Sequence, residues 1–250
     1  MEELITIILA IVSLIAGLLG SLLGLGGGFI IVPALSFMNI TPNQIASTSL
    51  FSVLSTSSSS TIAYAKQKRI DYRLGLRFAI FAIPGSILGA YTSSLISLES
   101  FKLYFAIILI GTSIYMLKRR GITKSNKNLV ILAYLASFFA GFISSLFGIG
   151  GGVIYMPLMI GLLAMPAKIS TATSQFILLI SSISGLITHA YLGHPDYILA
   201  IVLIIGTFLG AQIGAKISLK IKERLLRDLV ALALIAIAIR MIISVFNPSV

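Results

Sequence analysis

An all-α, polytopic integral membrane protein built from two inverted-topology repeats is the fold class that the sequence predicts. Three observations predict it: the composition, a series of span-length apolar segments, and a set of landmarks that occurs twice. Of 250 residues, 58% are hydrophobic and 10% charged, and the mean hydropathy is +1.08. A soluble domain is about a quarter charged, so most of this exterior must face lipid. With no Cys, disulfides, thiolate metal sites and thiol nucleophiles are excluded. The net charge of +11 does not point to nucleic acid, because the basic residues cluster in short loops between apolar runs, as membrane topology requires.

About 20 apolar residues cross the hydrocarbon core as a helix. Spans are expected, in order, at Leu4–Leu23, Gln44–Ala65, Leu74–Ile96, Phe101–Leu117, Leu129–Phe147, Ile169–Leu192, Tyr197–Ser218 and Leu229–Phe246. The first has acidic Glu2 and Glu3 before it and no clear cleavage site, so it reads as a retained span and not a signal peptide. Two shorter runs, Phe29–Ile40 and Val153–Met165, each follow a glycine cluster and contain a proline, Pro33 or Pro157. They are too short for ordinary spans and read as half-helices or re-entrant segments. Each repeat thus has about four membrane helices, including one Gly-interrupted segment.

The duplication is explicit. Gly24–Pro33 (GLGGGFIIVP) matches Gly148–Pro157 (GIGGGVIYMP), 124 residues on. Pro42 and Pro166, Thr48-Ser49 and Thr173-Ser174, then Asp71-Tyr72 and Asp196-Tyr197 follow in the same order, and Gly85-x-x-x-Gly89 is matched with Gly206-x-x-x-Gly210. Residues 1–118 form the first repeat, 119–128 a basic linker and 129–250 the second repeat.

Lys66, Lys68, Arg69 and Arg73 mark one cytoplasmic loop. Lys118, Arg119, Arg120, Lys124 and Lys127 mark the linker, and Lys220, Lys222, Arg224 and Arg227 a third. The repeat counterparts of the first and third, Gly193–Asp196 and the region around Glu99, are poor in Lys and Arg. Matching loops therefore lie on opposite sides, which inverts the repeats and places both termini outside. Three spans plus a re-entrant pair, or five crossings with one short, both satisfy this.

Paired, glycine-interrupted segments in corresponding halves are the sequence signature of a transporter's binding site. Broken backbone is tolerated at membrane depth only where protein or a watery cavity covers it. A half-helix that starts at such a turn presents free N–H groups and a positive dipole end to an anion. The candidate substrate residues are Gly24, Gly26, Gly27 and Gly28 with Thr48 and Ser49, and Gly148, Gly150, Gly151 and Gly152 with Thr173, Ser174 and Gln175. Alternatively, the glycines permit close helix crossings, which is the reading taken for Gly85, Gly89, Gly206, Gly210 and Gly214. Thr48, Ser52, Ser55 and Ser59 share one helical face, and Ser174, Ser181 and Thr188 another. Their hydroxyls serve either an oxyanion or helix carbonyls. No Asp or Glu lies mid-span. Arg240 reads as snorkelling, His189 as structural, and Asp71 and Asp196 as helix caps.

With these motifs, roughly Leu4 to Phe246 resembles the TauE/SafE family of membrane permeases, also called the sulfite exporter family. Gln175 and Ser47 depart from the residues usual beside the Thr-Ser pairs. The resemblance implies a transporter of small sulfur oxyanions or organosulfonates, sulfite above all. No catalytic residue, metal or cofactor is expected; the partners are a small anion and the bilayer. An anion-selective channel is the alternative. A membrane enzyme would need a convergent set of titratable groups that this chain does not offer.

Overall fold

A computed structural model describes residues 2–36, 38, 40–118 and 127–222, with 225, 228–229, 232, 235–236, 238–239 and 242–243 beyond them. Its helices are α1 (Glu2–Leu23), α2 (Gly28–Leu35), α3 (Pro42–Lys66), α4 (Tyr72–Thr92), α5 (Leu98–Lys118), α6 (Lys127–Phe147), α7 (Gly152–Pro157), α8 (Ala167–Tyr191) and α9 (Tyr197–Ile217). There is no strand among the described residues. Among the described residues, four helical segments are long and apolar enough to cross a membrane: Thr6–Leu23, Tyr72–Leu95, Ala167–Tyr191 and Tyr197–Ile217. The chain is an all-α polytopic membrane protein. The expected span Leu229–Phe246 is described only at scattered helical positions, and Arg119, Arg120, Lys124, Arg224, Arg227 and Arg240 lie outside the described residues.

α3 occupies the expected span but is too rich in Ser and Thr to count as apolar. It has no need to be. Most of its surface is buried against α8, α9 and α2, where hydroxyls find carbonyls in place of lipid. The more apolar α1 and α9 pack on each other, as do α4 and α6, and turn Ile7, Ile11, Ile80, Ile201 and Ile205 outward.

The two short segments are half-helices. α2 carries Pro33 and stops two residues later. α7 ends at Pro157, and a π-helical turn, Leu158–Leu162, follows it. A proline lacks the N–H that would bond four residues back, which weakens each short helix, and both α2 and α7 end among buried residues. The expected caps form as well: Asp71 accepts from Leu74 N at 3.0 Å, and Asp196 from Ile198 N at 3.0 Å and Leu199 N at 3.1 Å.

Interhelix hydrogen bonds fix directions. Ser55, Ser59 and Gln67 of α3 and its end bond Ile204 O, Phe208 O and Ala215 O of α9 in ascending order, so these helices run parallel. Arg69, just past the end of α3, bonds Lys168 O in the first turn of α8 at 2.8 Å, so α3 and α8 run antiparallel. Asp71 therefore lies at the end of α3 and Asp196 at its start. Lys66, Lys68, Arg69, Arg73, Lys168 and Lys216 gather at the Asp71 end.

The contacts correct one sequence match. Gly85 packs on the Phe138 carbonyl, and Gly89 on that of Phe142. Gly210 and Gly214 pack in the same way on Leu14 and Leu18. Gly85 thus corresponds to Gly210 and Gly89 to Gly214, whereas Gly206 meets Ser13. Glycine spacing alone had three candidates for two places.

Candidate functional site

Each glycine turn breaks the chain where only glycine adopts the backbone conformation easily. φ is +74° at Gly24 and +78° at Gly26, and +72° at Gly148 and +75° at Gly150, a region that side chains on Cβ disfavour. The turns interlock in the buried core. A Cβ on Gly28 would collide with Gly148 O, and one on Gly152 would lie 2.5 Å from Gly24 O. Val53 and Leu178, 125 residues apart, both touch Gly26, and Val53 also touches Gly150. The structure therefore brings all eight turn glycines together.

It also shows what the neighbouring candidates hold. Ser49 donates to Gly148 O at 2.8 Å and Ser174 to Gly24 O at 2.7 Å. Each helix thus anchors the turn of the opposite half. Thr48 accepts from Asp196 N at 3.1 Å and Thr173 from Asp71 N at 3.0 Å, which ties the same helices to the loops entering α9 and α4. Gln175 Nε2 donates to Gly20 O at 2.7 Å, the carbonyl that also accepts from Leu25 N and Gly26 N. Gln175 Oε1 is buried with no hydrogen-bond partner among the described residues.

At the first turn the N–H groups of Gly27, Gly28 and Phe29 have no acceptor among the described residues. They open α2, an eight-residue helix, so its positive dipole end lies within the core. The sequence reading missed Thr56, whose buried hydroxyl also has no partner among the described residues and faces Gly27. Its signal was the four-residue spacing Ser52, Thr56, Ser60, Tyr64, which is one helical face; the face chosen instead holds Ser55 and Ser59, which bond α9 carbonyls.

Tyr64 and His189 close the two ends in matching fashion. The Tyr64 hydroxyl donates to Ser21 O at 2.8 Å, and the Arg69 guanidinium lies 4.8 Å from its ring centroid. His189 Nε2 is 3.0 Å from Ser145 O, and its Nδ1 is 2.9 Å from His194 Nδ1. Each ring thus holds the carbonyl three residues before a glycine turn. Burial pushes the His194 pKa below its ordinary value. Among the described residues, no three His, Cys, Asp or Glu side chains group as metal ligands.

A family model described as "Sulfite exporter TauE/SafE" matches residues 9–241. The chain is similar to the probable membrane transporter protein YunE of Bacillus subtilis, 39% identical over 230 residues that cover 81% of this chain and 84% of the relative. A probable membrane transporter protein of Methanocaldococcus jannaschii is 33% identical over 76% of this chain and 74% of its own. One from Sinorhizobium is 24% identical over 96% of this chain and 93% of its own. No solved structure matches.

Proposed function

The chain belongs to the sulfite exporter TauE/SafE family of membrane transporters, and on that premise we propose that it carries small anions, sulfite or related sulfur oxyanions and organosulfonates, by alternating access. The observation that carries this reading is the set of amide N–H groups at Gly27, Gly28 and Phe29, without an acceptor among the described residues and held in the core. Buried donors left without partners are costly, and anions bind well at such helix starts. The site is composed of the twin turns Gly24–Gly28 and Gly148–Gly152. Ser49, Ser174 and Gln175 hold those turns in place, Thr48 and Thr173 tie the same helices to the loops entering α9 and α4, and in this proposal all five line the approach to the turns.

In this proposal the halves 1–118 and 129–250 are inverted repeats about the linker 119–128. The antiparallel course of α3 and α8 supports it, as do the reciprocal Ser49–Gly148 and Ser174–Gly24 bonds. The basic Asp71 end is cytoplasmic, by the positive-inside rule. The family's role as a transporter implies no catalysis.

The test is radiolabelled sulfite, sulfate, thiosulfate and sulfonate flux in liposomes containing the purified chain. Saturable uptake accelerated by unlabelled substrate on the opposite side is expected; single-channel current without counterflow would establish the channel instead. Gly27→Val should abolish flux, because its branched side chain would enter the space between Thr56 and Thr207, which a Cβ already approaches to 2.7 and 3.3 Å. Full flux in a folded Gly27→Val protein would defeat the glycine-turn site.

A further inference from the structure

The two glycine turns match in backbone at Gly24 and Gly26 against Gly148 and Gly150, but they differ at the cap glycines, with φ −72° at Gly27 and +34° at Gly151, and in what surrounds them. We propose that substrate binding is one-sided: a small oxyanion that still carries a hydroxyl hydrogen is held at the first turn, with Thr56 as its side-chain donor and Gln175 as its acceptor. This rests on the anion-transport reading above and assigns the ligands within it.

Four pairs of equivalent positions distinguish the turns. At the first, Thr56 Oγ1 is buried, unpartnered among the described residues, and 2.7 Å from where a Cβ on Gly27 would lie. Gly27 is the N-cap of α2, so the hydroxyl is aimed at the free amide end of that helix. Its counterpart in the second half, Ser181, turns back toward Leu178 O at 3.5 Å. One turn further on, Ser60 also has a buried hydroxyl without a partner among the described residues, whereas its counterpart is Gly185. Gln175 reaches across to the first turn through Gly20 O; the equivalent residue on the other side is Leu50, which packs near Gly185.

The fourth pair differs in the side chain that stands over the cap glycine. Gly151 caps α7, but a Cβ there would lie 2.8 Å from the Tyr155 ring and 3.1 Å from Ala140 O. The Tyr155 ring, wholly buried, thus covers the start of α7. Ile31 stands in its place in the first half and has no contact with Gly27 among the nearest atoms there. The start of α7 thus faces an aromatic ring, whereas the start of α2 faces the Thr56 hydroxyl, with the Ser52 carbonyl and the Thr207 methyl each 3.3 Å from the Cβ position on Gly27.

The polar groups left over define the ligand. The amide N–H groups of Gly27, Gly28 and Phe29 and the Thr56 O–H donate, which suits anionic oxygens. Gln175 uses its Nε2 on Gly20 O, which fixes the amide so that Oε1 is the atom left to accept. A lone acceptor beside an anion site repels a bare oxyanion but bonds one that retains an O–H. Hydrogen sulfite has that pattern, and a sulfonate does not.

The experiment compares Thr56→Val, Thr56→Ser, Gln175→Leu and Ser181→Ala with the unaltered full-length chain, in radiolabelled sulfite uptake by proteoliposomes and in thermal unfolding in detergent. Removing a hydrogen bond to a charged ligand is worth roughly tenfold in affinity. Thr56→Val should therefore raise the KM for sulfite about tenfold, while Thr56→Ser stays near the original value and Ser181→Ala is unchanged. Thr56→Val should melt at the same temperature or higher, since it deletes a buried hydroxyl with no partner; a residue with only a structural role would not lose transport while gaining stability. Gln175→Leu should weaken competition by sulfite more than by methanesulfonate. Undiminished transport in Thr56→Val, or equal losses in Thr56→Val and Ser181→Ala, would overturn the one-sided site while leaving anion transport standing. Absence of uptake of any anion by the unaltered chain would overturn both.

Discussion

His189 and His194 show how hydrogen-bond accounting at single residues leads to a prediction. The Ser145 carbonyl can only accept, so His189 Nε2 carries its hydrogen and Nδ1 is left as acceptor. His194 Nδ1 must then be the donor across their 2.9 Å contact. Burial lowers the His194 pKa, so the fold favours its neutral ring. The stabilisation is fully present above the free side chain's value of about 6.5 and is lost as pH falls through the lower folded value. His189 is the titratable neighbour that the structure sets against it. The unaltered protein should lose more thermal stability between pH 8 and pH 5 than His194→Gln does, measured in one detergent. Identical pH profiles would show that the pair has no part in stability. Residue-level detail of this kind was only partly legible in the sequence. That Asp71 and Asp196 cap helices was readable, because a cap bonds within three residues. The partners of Ser49, Ser174 and Gln175 were not, since each lies 99 to 155 positions away.

At the scale of elements, hydropathy located the helices, and glycine clusters located the two places where they break, because both signals are local. Even the polar α3 was placed, at Gln44–Ala65, although what encloses it, α8 and α9, is not local. The correct GxxxG pairing escaped, because it depends on which helix each glycine meets. The crossings themselves are testable. In membranes, small residues let helix backbones approach closely, and here Gly89 packs directly on the Phe142 carbonyl and Gly214 on that of Leu18. A methyl group at either place must push two helices apart, so Gly89→Ala and Gly214→Ala should each destabilise the protein by about 1–3 kcal/mol. Gly111 of α5 provides the contrast, since a Cβ there meets nothing within 4 Å. Gly111→Ala should be neutral or stabilising by about 0.5–1 kcal/mol, because alanine is the better helix former. Comparable losses at Gly111 and Gly89 in denaturant unfolding would remove the packing explanation.

For the whole molecule, transport by two inverted halves requires that equivalent positions face opposite compartments. Lys66 ends α3 and Tyr191 ends α8, 125 residues apart and both exposed. The antiparallel course of these helices puts the two ends about 37 Å apart if α3, at 25 residues, runs straight at 1.5 Å per residue. That exceeds the hydrocarbon core of about 30 Å, so the two positions should emerge on different sides. In the proposed orientation the basic residues around Lys66 put that end in the cytoplasm, and the Gly193–Asp196 loop beside Tyr191, with neither Lys nor Arg, lies outside. The chain contains no Cys, so Lys66→Cys and Tyr191→Cys each introduce a single thiol. In intact cells a membrane-impermeant maleimide should label Tyr191→Cys at once and Lys66→Cys only after permeabilisation. The reverse pattern would keep the inverted architecture but exchange inside and outside. Labelling of both from the same side would mean that α3 and α8 do not cross in opposite senses. The interlocked turns could not then present their site to each compartment in turn, and alternating access would have to be abandoned.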